Sequence, residues 1–271
     1  MAGQSAVSAT GCSANDTMKL SEYRLQDIED KVKRMQARPL DVMLIGATGT
    51  GKSTTLNALF GSECAKVGHG FDPQTMDISE YKLNELLTFW DTPGLGDSAE
   101  NDKQHVKRIV EKLREKYQAK NLPIKIRHIP LDLEPKYFRL LMNEVLLGDD
   151  YGFIDLVLVV IDGSTRDLGT VYSLIVDVLL PNIQADRILT VINQCDTAMS
   201  GRHWDFSRNE PDSTLLDFLN TQAESIRRRI RETTGTNIIL PVYYSAEYGY
   251  NVTRVLDLII DNIPIERRNL F

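Results

Sequence analysis

Cysteine is scarce in this sequence, and long hydrophobic runs and an excess of positive charge are missing. Cys12, Cys64 and Cys195 form no C-x-x-C pair and leave an odd thiol, which is typical of a reducing compartment and not of a disulfide framework. We therefore expect a cytoplasmic protein. The longest wholly aliphatic run, residues 156–161, is far shorter than the roughly 20 residues that span a bilayer. No transmembrane segment is expected.

The formal net charge is −7 at pH 7, which would repel the phosphate backbone of a nucleic acid. This balance disfavours direct nucleic-acid binding. It also requires that any anion site be built locally, from backbone N–H groups and a few lysines. Hydrophobic residues make up 42% of the 271 residues and charged residues 25%, as in ordinary globular proteins that bury a core.

Helical and strand patterns alternate along the chain and predict an α/β fold with a mostly parallel six-stranded sheet sandwiched by helices. We expect a disordered tail over 1–20, an N-terminal amphipathic helix over 21–38, and one domain over 39–271 with an insertion at about 121–150. The expected strands are 42–45, 77–82, 86–90, 156–161, 187–192 and 238–244. The expected helices of the domain are 52–60, 102–118, 168–180, 214–233 and 252–260.

A complete Walker A pattern, G-x-x-x-x-G-K-S, lies between the first predicted strand and the helix after it. Its glycines let backbone N–H groups turn inward onto phosphates, Lys52 can reach and act on the terminal phosphates, and the Ser53 hydroxyl can ligate Mg²⁺. The residues predicted to hold a nucleotide are Gly46, Ala47, Thr48, Gly49, Thr50, Gly51, Lys52, Ser53 and Thr54. A chance glycine turn is the alternative, and the loop alone does not separate GTP from ATP.

The sequence D-T-P-G follows the predicted strand 86–90. Asp91 can hold a magnesium-bound water there, and the Gly94 N–H can face a γ-phosphate, so that hydrolysis frees the loop that follows. Thr75 is the candidate for presenting a switch hydroxyl to Mg²⁺ and its N–H to the γ-phosphate. A solvent-facing turn threonine beside Pro73 is the alternative.

The sequence N-Q-C-D follows the predicted strand 187–192, at the carboxyl edge where open α/β sheets bind ligands. The Asp196 carboxylate can accept hydrogen bonds from guanine N1–H and N2–H₂, a donor pair that adenine lacks. An aspartate at this place would therefore select GTP over ATP, and Asn193 would connect this loop to the P-loop.

Taken in order, the P-loop, Thr75, D-x-x-G, N-Q-C-D and Ser245-Ala246-Glu247 resemble the motifs of small GTPases of the translation-factor class. Within that class the sequence looks most like Era-like GTPases, in particular a prophage-associated, ribosome-binding group. The resemblance covers about residues 40–263. It implies a P-loop G domain, GTP or GDP as ligand with Mg²⁺, and support of the guanine O6 by the Ala246 N–H next to Ser245. It also implies an unidentified protein effector and a nucleotide-dependent dimer.

Three positions depart from the pattern of the resembling proteins. Gln194 replaces the usual lysine whose stem lies over the base, which predicts weaker stacking and affinity but retained specificity. Leu95 replaces the glutamine that orients water in Ras-like members, which predicts slow intrinsic hydrolysis. Gly49 replaces the asparagine of potassium-activated relatives, so a K⁺-assisted mechanism is not supported. His69 could position water, but a lone loop histidine is more often merely exposed.

Two rival functions stay open at this point. One is a P-loop ATPase or kinase, which Asp196 argues against. The other is a scaffold that binds nucleotide without turnover, such as a component of a dynamin-like or ribosome-associated assembly, and Leu95 leaves this open. The insertion at 121–150 and the arginines of 227–231 are candidate partner surfaces. For the arginines we favour the interpretation that they are solvent-exposed charges without a binding role, because they point in several directions on a helix.

Overall fold

The computed structural model describes residues 19–35, 39–61, 64, 77–96, 98–116, 151–165 and 168–270. The tail up to residue 18, Thr75, His69 and the predicted insertion at 121–150 lie outside the described residues. Across the described ranges, no helix combines the length and the apolar character that a bilayer crossing requires.

A six-stranded sheet forms the centre of the molecule, in the order β2-β3-β1-β4-β5-β8. The strands are β1 Leu40–Ile45, β2 Ser79–Asn84, β3 Leu87–Asp91, β4 Leu156–Asp162, β5 Ile188–Asn193, β6 Trp204–Asp205, β7 Glu210–Pro211 and β8 Val242–Tyr243. Neighbouring strands of the sheet are parallel except for β2, which pairs antiparallel with β3. The predicted mostly parallel six-stranded sheet and the predicted 77–90 hairpin are confirmed.

Helices cover both faces of the sheet. They are α1 Leu25–Arg34, α2 Lys52–Phe60, α3 Ala99–Arg114, α4 Gly169–Ser173, α5 Ser213–Thr234 and α6 Val252–Asp261. A π-helical segment, Leu174–Leu179, continues α4, and short 3₁₀ turns lie at Leu20–Glu22, Ala185–Arg187 and Ala198–Gly201. Helices α1, α2 and α6 pack on one face and α3, α4 and α5 on the other. All six residues of β1 are buried, as expected for a central parallel strand.

Three sequence predictions are corrected by the structure. The strand predicted over 238–244 is limited to β8, because Pro241 cannot donate to a ladder and Ile239 and Leu240 are exposed. The polar loop predicted between β5 and α5 contains the two-stranded hairpin β6-β7. The helix predicted at 21–38 is also shorter than expected, with α1 following a separate 3₁₀ turn.

Candidate functional site

The Walker A loop joins the end of β1 to the start of α2, as predicted. Gly51 has φ +82°, and a Cβ there would collide with the side-chain amide of Asn193, so this position requires glycine. Lys52 is buried, and its Nζ donates to the carbonyls of Gly46 at 3.1 Å and Ala47 at 3.0 Å. The ammonium is therefore held over the mouth of the loop, where it can meet the terminal phosphates.

Behind the loop, two side chains that the sequence analysis missed hold α2 in place. Thr55 Oγ1 donates to the Gly51 carbonyl at 2.7 Å, and it lies 2.6 Å from the hydroxyl of Tyr244. Tyr244 is fully buried, and this burial raises the pKa of its phenol above the ordinary value. The local sequence around Tyr244 could not indicate its contact with Thr55, because the two residues lie 189 positions apart in the chain. Thr54 lies in the first turn of α2 and is partly buried.

Ser53 and Asp91 bring together the two oxygen ligands predicted for Mg²⁺. Ser53 is in the first turn of α2 and Asp91 ends β3, and Ser53 Oγ donates to Asp91 Oδ2 at 2.9 Å. Asp91 is almost fully buried. Within the described ranges, no cluster of three or more His, Cys, Asp or Glu side chains could hold a metal ion. One hydroxyl and one carboxylate beside a phosphate loop fit Mg²⁺, which keeps several waters and takes its other ligands from phosphates.

The D-x-x-G turn is hydrogen-bonded directly to the P-loop. Thr48 N donates to the Leu95 carbonyl at 2.8 Å, and Leu95 N donates to the Gly46 carbonyl at 3.3 Å. A Cβ at Gly94 would lie 2.6 Å from the Thr48 Cα, so the turn can approach the loop this closely only with glycine. On its other side the Gly94 carbonyl lies 3.1 Å from Nδ1 of the buried His105 in α3, a contact that the sequence analysis missed.

Asn193, at the end of β5, connects the predicted phosphate and base loops. Its Nδ2 donates to the Thr50 carbonyl at 3.0 Å, and its Oδ1 accepts from Ala246 N at 3.0 Å. The first bond is the link to the P-loop that the sequence predicts. The bond from Ala246 N to Asn193 Oδ1 uses the N–H that was expected to support guanine O6. Binding of guanine O6 would therefore require the Ala246 N–H to be shared between the two oxygens. Ser245, next to it, is fully buried.

Gln194 and Asp196 complete the base loop. Gln194 has φ +60°, and its Nε2 donates to the Gly49 carbonyl at 2.7 Å, which adds a second bond between this loop and the P-loop. Asp196 is 6% exposed, and its Oδ1 has no hydrogen-bond donor among the described residues. A buried carboxylate oxygen without a donor is costly, which indicates that a ligand supplies one.

Cys195, the residue between them, cannot act as a nucleophile. Its thiol is fully buried, and burial raises its pKa above the ordinary value, with the neighbouring Asp196 as a smaller cause. Its backbone N–H donates to the Tyr244 carbonyl at 3.2 Å. The residue therefore anchors the base loop to the segment that directly follows β8.

The structure thus places the Walker A residues, Asp91, Gly94, Asn193, Asp196, Ser245 and Ala246 around one edge of the sheet. The side-chain and backbone bonds described above join the phosphate loop, the D-x-x-G turn and the base loop into one assembly. Thr75, the predicted switch threonine, lies outside the described residues.

The model of a family described as 50S ribosome-binding GTPase matches residues 41–194 of the chain. Among curated proteins, the chain is 32% identical over 120 residues to translocase of chloroplast 125 from Physcomitrium patens, covering 42% of this chain and 10% of that protein. It is 36% identical over 104 residues to septin-12 from Rattus norvegicus, covering 33% of this chain and 29% of that protein. The chain therefore spans less than a third of the length of either relative.

Two solved structures have a similar fold at low identity. Toc33 from Arabidopsis thaliana, in complex with GDP and Mg²⁺, superposes with a TM-score of 0.56 at 15% identity, covering 92% of this chain and 94% of that chain. Era, in complex with MgGDPNP and nucleotides of 16S ribosomal RNA, superposes with a TM-score of 0.50 at 17% identity, covering 84% of this chain and 58% of that chain.

Proposed function

This chain belongs to the 50S ribosome-binding GTPase family, and on that premise we propose that it is a Mg²⁺-dependent switch that hydrolyses GTP slowly to GDP and phosphate. Membership in a GTPase family carries guanine-nucleotide binding, and the P-loop fold is that of a G domain. The finer proposal, an Era-like and prophage-associated protein, rests on sequence motifs alone, since chloroplast translocases and septins also match.

The observation that carries the proposal is the buried Asp196 Oδ1, which lacks a donor among the described residues. Guanine supplies N1–H and N2–H₂ to one carboxylate, whereas adenine presents no such pair. Because Asn193 bonds both to the P-loop and to Ala246, a base read by Asp196 and phosphates bound at Lys52 belong to a single nucleotide. The Asp196 carboxylate therefore favours GTP as the ligand over the alternative hypothesis of a P-loop ATPase or kinase.

Ser53 and Asp91 would hold Mg²⁺ in this proposal, Ser53 directly and Asp91 through water. When bound, the ion neutralises charge that develops on the β- and γ-phosphate oxygens. Lys52 orients the terminal phosphates, and the Gly94 N–H faces the γ-phosphate so that its loss releases the following turn. Thr75 is proposed as the further Mg²⁺ ligand from the switch loop.

Slow turnover is proposed from the side chain of Leu95. Leu95 is 5% exposed and packs into the core beneath α3, so an apolar group stands where Ras-like members orient water with glutamine. A partner protein, or a second copy of the chain, would then supply the missing group. The expectation that the chain avoids nucleic acid is not supported by the comparisons, because Era, with a similar fold, was solved with ribosomal RNA.

Competition binding tests the nucleotide. The full chain is titrated with a fluorescent GDP in Mg²⁺ buffer, and GTP, GDP and ATP are used as competitors. We expect GTP and GDP to outcompete ATP by orders of magnitude. The Asp196→Asn variant places an NH₂ donor beside position 2 of the base. Guanine has an amino donor at that position and xanthine has a carbonyl acceptor, so the variant should bind xanthosine diphosphate in preference to GDP. If ATP competes as well as GTP, or if guanine nucleotides are not retained at millimolar concentration, the proposal is wrong.

Phosphate release separates the switch from the scaffold. Wild-type chain is followed in single-turnover conditions over hours, alone, at concentrations that favour dimers, and with cell extract. We expect slow release by the chain alone and faster release in at least one other condition. Lys52→Ala serves as the control for contaminating activity, because it removes the phosphate-binding ammonium. No release above this control in any condition would establish the scaffold.

A further inference from the structure

Thr48, in the P-loop, carries a hydroxyl that the proposed function has not used. Its Oγ1 is buried from solvent and has no hydrogen-bond partner among the described residues. The backbone around it is well engaged, since Thr48 N donates to the Leu95 carbonyl. A buried hydroxyl without a partner destabilises the folded state, so the residue type at this position calls for an explanation.

The hydroxyl lies at the seam between the P-loop and the D-x-x-G turn. A side chain at Gly94 would collide with Thr48 Oγ1, so the hydroxyl faces the Cα of the residue whose N–H is proposed to meet the γ-phosphate. Lys52 Nζ, which reaches the terminal phosphates in a P-loop, donates to the carbonyls of Gly46 and Ala47, directly before Thr48. The Thr48–Gly94 seam therefore lies beside the place of the terminal phosphate.

We propose that the Thr48 hydroxyl donates a hydrogen bond to the terminal phosphate of GTP, which makes Thr48 a residue that distinguishes the triphosphate from the diphosphate. This inference rests on the proposed function, because it needs a guanine nucleotide in the P-loop. The inference also bears on Leu95, whose buried apolar side chain offers no polar group to the terminal phosphate. The polar contacts to that phosphate come instead from the Thr48 hydroxyl and from the Gly94 N–H.

Two variants separate the hydroxyl from the shape of the side chain. Thr48→Val keeps the β-branch and removes the hydroxyl, and Thr48→Ser keeps the hydroxyl. Binding of fluorescent GDP and of a fluorescent non-hydrolysable GTP analogue is measured for each with Mg²⁺. We expect Thr48→Val to weaken the triphosphate analogue about tenfold or more and GDP by less than about twofold, as for one lost hydrogen bond to a charged group. Thr48→Ser should stay within about threefold for both.

Thermal unfolding without nucleotide provides a second readout. Removing an unsatisfied hydroxyl should leave the Tm of Thr48→Val equal to or above that of the wild type. A lower Tm, a parallel loss of both affinities, or no change in either would overturn the inference, because Thr48 would then act through loop structure or not at all. A wild-type chain that binds neither nucleotide overturns the proposed function as well. A wild type that binds both, with an unchanged ratio in Thr48→Val, overturns the Thr48 assignment alone.

Discussion

At the scale of single residues, Gln194 connects two loops of the candidate site. Its amide donates to the Gly49 carbonyl and so joins the base loop to the P-loop. We expect Gln194→Ala to weaken GDP binding about two- to tenfold, the range for one exposed hydrogen bond. Gln194→Lys should bind at least as tightly as wild type, because its stem can also cover the base. Equilibrium titration with fluorescent GDP checks both, and an unchanged affinity of Gln194→Ala would contradict the argument.

The buried Cys195 predicts a dependence of stability on alkaline pH. Burial raises its pKa above the ordinary 9.0, so the unfolded chain loses a proton near pH 9 that the folded chain keeps. The free energy of unfolding is therefore full below pH 9 and falls as the pH rises above it. Tyr244, whose ordinary pKa is 10.0 and is also raised, adds to this loss only above pH 10.

Urea unfolding of wild type, Cys195→Ala and Cys64→Ser between pH 8 and pH 10 measures this slope. Cys195→Ala should be less stable at pH 8 because it loses buried volume, but its stability should change less with pH than that of wild type. Cys64 is exposed, so Cys64→Ser should keep the slope. Equal slopes for all three proteins would show that the Cys195 thiol does not titrate on unfolding.

At the scale of elements, helix α1 is held on α6 by both apolar and charged contacts. Ile28 and Val32 are 2% exposed, whereas Arg24 pairs with the half-buried Asp257 at 2.8 Å and with the exposed Asp261 at 2.7 Å. Burial of an isoleucine outweighs exposed ion pairs, so Ile28→Ala should cost about 2–5 kcal/mol. Arg24→Ala should cost about 1 kcal/mol or less. Chemical denaturation of both variants checks the ranking, and an equal or larger loss for Arg24→Ala would reverse it.

The elements also show what the sequence pattern could and could not predict. The β1-loop-α2 unit was predicted to within two residues, because an apolar run, fixed glycines and a helical period all agree there. The hairpin β6-β7 was missed, because strands of two residues are too short to show an alternating pattern. Its Trp204 is buried against Tyr248 and Tyr250, a long-range contact that no local rule indicates.

The candidate site shows the same limit. The positions of four residues were predictable from the carboxyl ends of strands in a mostly parallel sheet. Asp91 and Asn193 end β3 and β5, Asp196 follows β5, and Ser53 follows the loop after β1. The contacts of Tyr244 with Thr55 and of His105 with Gly94 were not, because they depend on how helices pack. Local patterns therefore locate the ligand-facing groups, and the groups that support them from behind require the tertiary structure.

At the scale of the whole molecule, a buried arginine near the C-terminus joins three distant parts of the chain. Arg268 is fully buried, and its guanidinium donates to the carbonyls of Leu113 at the end of α3, Ile154 before β4, and Asn182 after α4. Sequence patterns place arginines at the surface, so this role was not predicted. The planar fork of arginine supplies several donors in fixed directions, which lysine cannot reproduce.

Substitution of Arg268 should therefore destabilise the whole domain without touching the nucleotide site. We expect Arg268→Ala and Arg268→Lys each to lose about 3 kcal/mol or more, because buried carbonyls lose their donors. Ile265→Ala is the matched control, since Ile265 lies in the same segment, is 77% exposed and should change stability by less than about 0.5 kcal/mol. Urea unfolding with an unchanged m-value measures the difference. If Arg268→Lys were as stable as Ile265→Ala, the directional donors of the guanidinium would not be what holds these segments together.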